Sequence, residues 1–522
     1  MRDQERERRD ERGPEQVGSP SEPSVKKPLV FGVSLALFLV LAWRFFDHTV
    51  DDAFISYRYA RNLAEGQGLV WNAGQRVEGY TDFLWVVALA GALCAGIDAE
   101  LASKLLGLAA GAATLAAVVR ASPRSDRYPE VAWLAPVLAA VSPALSVWAT
   151  GGLETAAFAA LVTWTVVLAL PALEDQPLRP ICAVLAAAAA LTRPEGVGVA
   201  ALVAGGIALL RRPRHETART LARFGWVFLA LFLPYFFWRW SYYGDLLPNT
   251  FYAKVGWSVS QLERGLRYLA AFLRESGYWL LLPYAGLVWC ERRARAALLG
   301  MTALGYTAYV AAVGGDGLPM YRFLVPVLPL WFLLAAEGLA GALARFGARR
   351  GARAALGALA LGLCLRSAWP AFQGPSAHYV DQDRREVAAW REIGRWFAER
   401  VPASASIAVI PAGALPYFSR LRAIDMLGMN DRTIAHTAAP VGAGQAGHEK
   451  YDVDYVLAQK PTYVLAGVYG LSPVAVPAQQ LVRPDYPAEL RLLESPEFRA
   501  SYVLRLGRAE SGWFPYFERA TP

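Results

Sequence analysis

The chain has 522 residues, 55% of them hydrophobic, and Val/Leu/Ala-rich runs recur from Leu29 to Trp369, so the first two-thirds reads as a polytopic α-helical membrane protein. A formal charge of +8 would suit a nucleic-acid binder, but the arginines cluster in short segments between apolar runs, where positive-inside topology accounts for them, and nucleic acid is set aside. Cys94, Cys182, Cys290 and Cys364 all lie in or at the ends of apolar runs, so neither a disulfide framework nor a cysteine metal site is expected.

Residues 1–28 form a charged tail too polar to build a core, and a disordered cytoplasmic extension is expected. Lys26 and Lys27 precede the apolar run 29–46, no small-residue cleavage site follows it, and Trp43, Arg44 and Phe45 read as an interfacial anchor. This run is expected to be a retained first helix with its N-terminus in the cytoplasm. Further spans are expected at 101–119, 131–148, 155–170, 181–192, 196–210, 222–240, 277–290, 297–313, 323–344 and 354–369, about eleven in all, several shorter than the ~20 residues a perpendicular helix needs. Phe83 to Ile97, short and flanked by Asp82 and Asp98, reads as a juxtamembrane or re-entrant helix, with a true crossing as the alternative.

Arg120/Arg124/Arg127, Arg211/Arg212/Arg214, Arg292/Arg293/Arg295 and Arg345/Arg349/Arg350/Arg353 fall on one side, the cytoplasm, if 83–97 does not cross. The opposite side then receives residues 47–81, 150–155, 192–196, 241–277, 314–322 and everything after Pro370. The competing topology, with 83–97 crossing and 181–210 as one broken helix, also gives eleven spans but strands Arg120, Arg124 and Arg127 outside. Three domains follow: the tail 1–28, a transmembrane module 29–369 with first outer loop 47–82, and residues 370–522. That last stretch carries short β-type runs (Ser406–Ile410, Tyr463–Leu465) and a helical stripe of Val387, Trp390, Ile393, Trp396 and Phe397, and is expected to be a soluble α/β domain on the outer face.

The first outer loop opens with Asp51-Asp52-Ala53-Phe54-Ile55-Ser56-Tyr57-Arg58. One aspartate can cap a helix from Ala53 to about Ala64, ended by Gly66 and Gly68, and the second is surplus to that role. On such a helix Asp51, Ile55, Arg58 and Asn62 share a face. Sugar transfer from a lipid phosphate needs a base for the acceptor proton and cations for the leaving phosphate. Asp51 is the candidate base, with Asp52 as runner-up or support, and Arg58 is the phosphate candidate.

Other polar islands share the outer side. Glu154, between two apolar runs, is either a second active-site acid or a helix-starting residue. Arg193 and Glu195 sit in a Pro/Gly break of the kind that lines cavities, with an internal ion pair as the bland reading. Lys254 is either a donor-phosphate contact or a snorkelling interfacial lysine. Asp316 and Arg322 lie in a glycine-rich loop that permits close ligand approach, or is a plain tight turn. Tyr57, Glu78, Asn249 and Tyr321 complete the donor-side candidates. Asp425, Asn430, Asp431 and His436 form a polar patch after a predicted strand and are the acceptor-side candidates. No spacing specifies a metal and no phosphate loop or dinucleotide fingerprint occurs, so neither a metal ligand set nor a nucleotide-sugar site is assigned, and dependence on a divalent ion stays open.

The runs DDAFISYRYARNLAEGQGLVWN, VEGYTDFLW, GGLET, LTRPEG, LLPNTFYAK, GGDGLPMYRFLVP and AIDMLGMNDRTIAH together resemble the bacterial family of GT-C-type integral-membrane glycosyltransferases that includes the mycobacterial terminal arabinofuranosyltransferase. The resemblance covers Asp51 to about His436. It implies a catalytic aspartate in the double-Asp motif, a polyprenyl-phosphate-linked sugar as donor and no other certain cofactor. It also implies an outer domain that helps bind a cell-envelope glycan or protein acceptor, and a place in the bacterial cytoplasmic (inner) membrane. The expected activity is inverting transfer of one sugar, arabinofuranose among the candidates. A non-enzymatic envelope or flagellar-motor-associated membrane protein is the second reading, and a transporter the third, for which charged span centres and inverted repeats are not evident.

Overall fold

A computed structural model describes residues 27–123, 127–211, 214–347 and 349–520. The tail before Lys27 lies outside the described residues, as do Arg124 and Arg212 of the arginine clusters. The first helix runs Lys27–Trp43, so the last two residues assigned to the tail belong to it.

Helix length and composition give fewer spans than the sequence reading. Among the described residues five helices are long and apolar enough to cross a membrane, or six if the bent pair Val131–Ala140 and Pro143–Thr150 is one span. The bend of 45° follows from chemistry: Pro136 sits inside the first helix, and Ser142-Pro143 restarts the second with the serine hydroxyl capping Leu145 N. Pro180–Thr192 and Gly196–Leu210 are separate short helices broken at Arg193-Pro194-Glu195. The segment expected to span at 277–290 winds instead as a 3-10 helix, Tyr278–Trp289, around Pro283. Phe83–Cys94 is a helix of only 12 residues.

The arginine-rich helix ends meet at one end of the bundle. Lys27 donates to Arg120 O at 2.8 Å, Arg295 donates to Ala121 O, and Arg353 pairs with Glu130 at 2.7 Å. Small residues let the helices approach: a Cβ on Gly107 would lie 2.1 Å from Ala149 O.

Every strand among the described residues falls between Ser406 and Arg519. β1 (Ser406–Val409), β2 (Arg422–Asp425), β3 (Tyr463–Leu465), β4 (Tyr502–Arg508) and β5 (Trp513–Arg519) form one sheet in the order β2-β1-β3-β5-β4, parallel across the first three and antiparallel across the rest. The helix Pro375–Arg400 buries Val387, Trp390, Ile393 and Phe397, the stripe read from the sequence, with Trp396 partly covered.

This C-terminal unit grips the helix Asp51–Ala64. Asp51 does not cap that helix: Val50 stands at the cap position with no side-chain bond, and the Asp51 carboxylate accepts Gly413 N at 3.0 Å and Ala414 N at 2.7 Å. Arg61 donates to Tyr417 O, Asn72 pairs with the Ala423 backbone in both directions, buried His48 meets Asp383 at 2.8 Å, and Arg391 clamps Glu100 through two bonds. The approach is tightest at Gly413, where a Cβ would stand 1.9 Å from Asp51 O. Gly413→Ala should therefore lower the thermal unfolding midpoint, by about 1–3 kcal/mol of stability, and expose the 413–423 segment to protease.

Candidate active site

A cavity of about 660 Å³, within the range of small-molecule sites, opens between the other end of the bundle and the C-terminal unit. The helix Asp51–Ala64 turns Asp52 and Ser56 into it. Asp52 is half-buried and makes no hydrogen bond or ion pair among the described residues. Ser56 donates to Asp82 at 2.8 Å, and Asp82, just before the apolar helix Phe83–Cys94, is a wall residue the sequence reading did not select. Burial, with the nearby Glu154 charge, pushes the Asp82 carboxyl well above its ordinary range.

The cations of the cavity differ in how they are held. The break between the two short helices delivers Arg193, which pairs with Glu154 and, at 2.5 Å through Nε, with Glu195. Arg322 forms a two-bond pair with Asp316 at 2.7 and 3.1 Å, on the loop opened by Gly314 and Gly315 at positive φ. Both guanidiniums lie over the Phe323 ring, at 5.1 and 5.2 Å. Lys254 lines the same space, its ammonium making no hydrogen bond or ion pair among the described residues. Toward the helices Gly196–Leu210 and Arg293–Ala312 the wall turns apolar, with Ala201, Leu202 and Val313.

Seven candidates therefore meet in one space: Asp52, Glu154, Arg193, Glu195, Lys254, Asp316 and Arg322. The others stand elsewhere. Arg58, the expected phosphate cation, is buried with its donors spent on Trp71 O, Pro416 O, Asn72 Oδ1 and Leu421 O. The shared face of Asp51 and Arg58 was legible, but it faces the C-terminal unit. Tyr57 is bonded to Ser103 at 2.6 Å, Glu78 is consumed by a two-bond pair with Arg239, and Tyr321 donates to Glu275 at 2.7 Å. Asn249 donates to Gly428 O and Met429 O, fastening the C-terminal unit.

The acceptor-side patch is occupied with its own backbone. Asp425 accepts from Leu427 N and Asn430 N, and Asn430 donates back to it. Asp431 caps the short helix Arg432–Ala435, and the His436 ring lies tilted against Tyr252 at 4.2 Å between ring centres, outside the cavity wall. Among the described residues no cluster of three or more His, Cys, Asp or Glu side chains has metal-binding geometry.

Asp51 titrates unusually. Burial drives its carboxyl from 3.8 up to about 7, against the two backbone N–H groups that favour the anion. The folded protein thus keeps this proton where the unfolded chain has lost it, so stability falls as pH rises from about 4 to about 7 and levels off above. Asp51→Asn cannot titrate and should gain stability relative to wild type across that window, by about 1–2 kcal/mol because the side chain is part-exposed. Unfolding midpoints of the two proteins at pH 5 and pH 8 check this.

The helical bundle under a C-terminal sheet unit is a fold shared with solved structures of other proteins. The crystal structure of ArnT from Cupriavidus metallidurans bound to undecaprenyl phosphate superposes with a TM-score of 0.53 at 16% identity, over 76% of this chain and 85% of that one. In sequence the chain resembles the terminal β-(1→2)-arabinofuranosyltransferases. It is 32% identical to that of Mycobacterium tuberculosis over 286 residues, which are 50% of this chain and 44% of the relative. It is 30% identical to that of Corynebacterium glutamicum over 336 residues, 53% of this chain and 47% of the relative. The chain thus spans less than half the length of the curated relatives it matches. Residues 378–515 match a family described as a domain of unknown function (DUF8728).

Proposed function

We propose that the chain transfers one sugar, an arabinofuranose or related pentose, from a polyprenyl phosphate to a cell-envelope glycan or protein on the outer face of the cytoplasmic membrane, with residues 370–522 as an extracytoplasmic domain over the site. The observation that carries this reading is the free carboxylate of Asp52 sharing one cavity with the unpaired Lys254 and the buried pair Arg322–Asp316. The likeness to enzymes named for arabinofuranosyl transfer and to a structure bound to undecaprenyl phosphate supports it.

In this reading the acceptor hydroxyl attacks the anomeric carbon opposite the phosphate and Asp52 takes its proton. The bond from that carbon to the phosphate oxygen breaks with its electron pair passing to the phosphate, so the configuration inverts. Lys254 and Arg322 meet the growing phosphate charge, and Glu154 and Glu195 hold Arg193 in place. Asp51, although its raised pKa suits a base near neutrality, faces Gly413 and Ala414 and holds the helix that presents Asp52.

Purified protein incubated with a panel of radiolabelled polyprenyl-phosphate sugars and envelope fractions should label acceptor from one donor class. Absence of labelling from every donor would contradict the proposal. Lys254→Met should lower kcat/KM for the donor by roughly 10- to 100-fold, the worth of a charge-assisted hydrogen bond, with an unchanged unfolding midpoint.

A further inference from the structure

The helix Val259–Ser276 lies at the cavity end of the bundle but does not line the cavity. One face is fixed to protein. Gln261 donates to Val313 O at 2.8 Å, and Gly265 backs so closely on Ala311 that a Cβ would sit 2.0 Å from its carbonyl oxygen. Arg264 donates to Gly314 O, Gly444 O and Glu449, and Tyr268 packs edge-on against Tyr321 at 5.3 Å.

The opposite face is bare. Val259 is 75% and Leu266 53% exposed, and with Leu262 and Ala270 they recur at helical spacing as one apolar stripe. Glu263, Arg267 and Arg274, all exposed, follow one edge of the stripe, and exposed Trp257 precedes the helix.

Both helix ends are pinned where bundle helices end. The N-terminal turn is tied to Val313, which closes the helix Arg293–Ala312. At the other end Glu275 accepts from Ser376 N and Oγ while Arg366 donates to Glu275 O, beside exposed Trp369 and Phe372. The helix is thus held at both ends at the level where bundle helices end, with exposed aromatic residues beside it, as aromatic residues collect at membrane interfaces.

We propose that Val259–Ser276 is an interfacial helix whose bare stripe is covered by phospholipid of the leaflet on the side of the C-terminal unit. Leu262, Leu266 and Val259 sit at the boundary of head groups and acyl chains, and Arg267 and Arg274 reach the lipid phosphates from the edge. Through Arg264 and Tyr268 the lipid-seated helix holds the loop Gly314–Arg322, and with it Asp316 and Arg322. This placement is independent of the reaction proposed above.

The test is nitroxide scanning of the full chain in phosphatidylethanolamine/phosphatidylglycerol nanodiscs. Single cysteines replace Leu262, Leu266, Arg267 and, as an aqueous reference, the exposed Val503 of β4, in a background without the native cysteines. Leu262 and Leu266 should show several-fold greater oxygen-to-nickel-chelate accessibility ratios than Val503, with Arg267 between. Ratios equal to that of Val503, or labels shielded from both reagents, would overturn the proposal. Wild-type protein in nanodiscs doped with a diazirine phospholipid gives a second reading. Label on peptides containing Leu262 and Leu266 supports it, and label on the helix Arg214–Tyr243 but not there refutes it.

Discussion

Asp52→Asn should reduce sugar transfer by roughly 10²- to 10⁴-fold, the usual worth of a general base, at saturating donor and acceptor. The side chain is part-exposed and carries no structural bond among the described residues, so the variant should unfold at the wild-type temperature and bind donor with nearly wild-type affinity. Asp51→Asn should behave in the opposite way: transfer within about tenfold of wild type, and a stability difference that depends on pH, because its carboxylate is spent on Gly413 and Ala414. The contrast separates two adjacent carboxylates of the same chemistry. If Asp51→Asn were the inactive variant and Asp52→Asn the active one, the assignment of the base would be reversed.

The second large effect is expected at Arg58. Its guanidinium donates to three backbone carbonyls and Asn72, two of the carbonyls belonging to Pro416 and Leu421 of the C-terminal unit, and it lies over Trp71 at 4.8 Å. Arg58→Met leaves those buried acceptors unpaired, and the stability should fall by about 3–5 kcal/mol. Arg58→Lys should recover only part of this, since an ammonium cannot reproduce the planar fork. Thermal unfolding together with protease release of the C-terminal unit reads the loss. A well-folded Arg58→Met that binds donor weakly would restore the phosphate role read from the sequence.

Much of the cavity wall was legible because carboxylates and arginines in breaks of apolar runs mark polar surfaces, and the internal Arg193–Glu195 ion pair held as the alternative is present as well. Glu154, Arg193, Glu195, Asp316 and Arg322 were found this way, as was the adjacency of Asp51 and Arg58 on one helical face. What the sequence does not carry is the partner across the chain. Nothing local to Asp51 indicates that Gly413 and Ala414, more than 360 positions away, will take its oxygens. The same holds for Glu78 with Arg239 and for Asn249 with Gly428. Asp82 escaped selection because a carboxylate before an apolar helix reads as a boundary, and only the fold turns it toward Ser56. Apolar composition does not carry the proline-broken geometry seen at 131–150 and 278–289.

The most direct measurement is release of free polyprenyl phosphate from a polyprenyl-phosphate pentose by the protein in liposomes, with an envelope glycan acceptor present. The proposal predicts acceptor-dependent release by the wild type that drops at least 100-fold in Asp52→Asn, with equal amounts of folded protein. Release that is absent from the wild type with every pentose offered, or that is the same in both proteins, would contradict it.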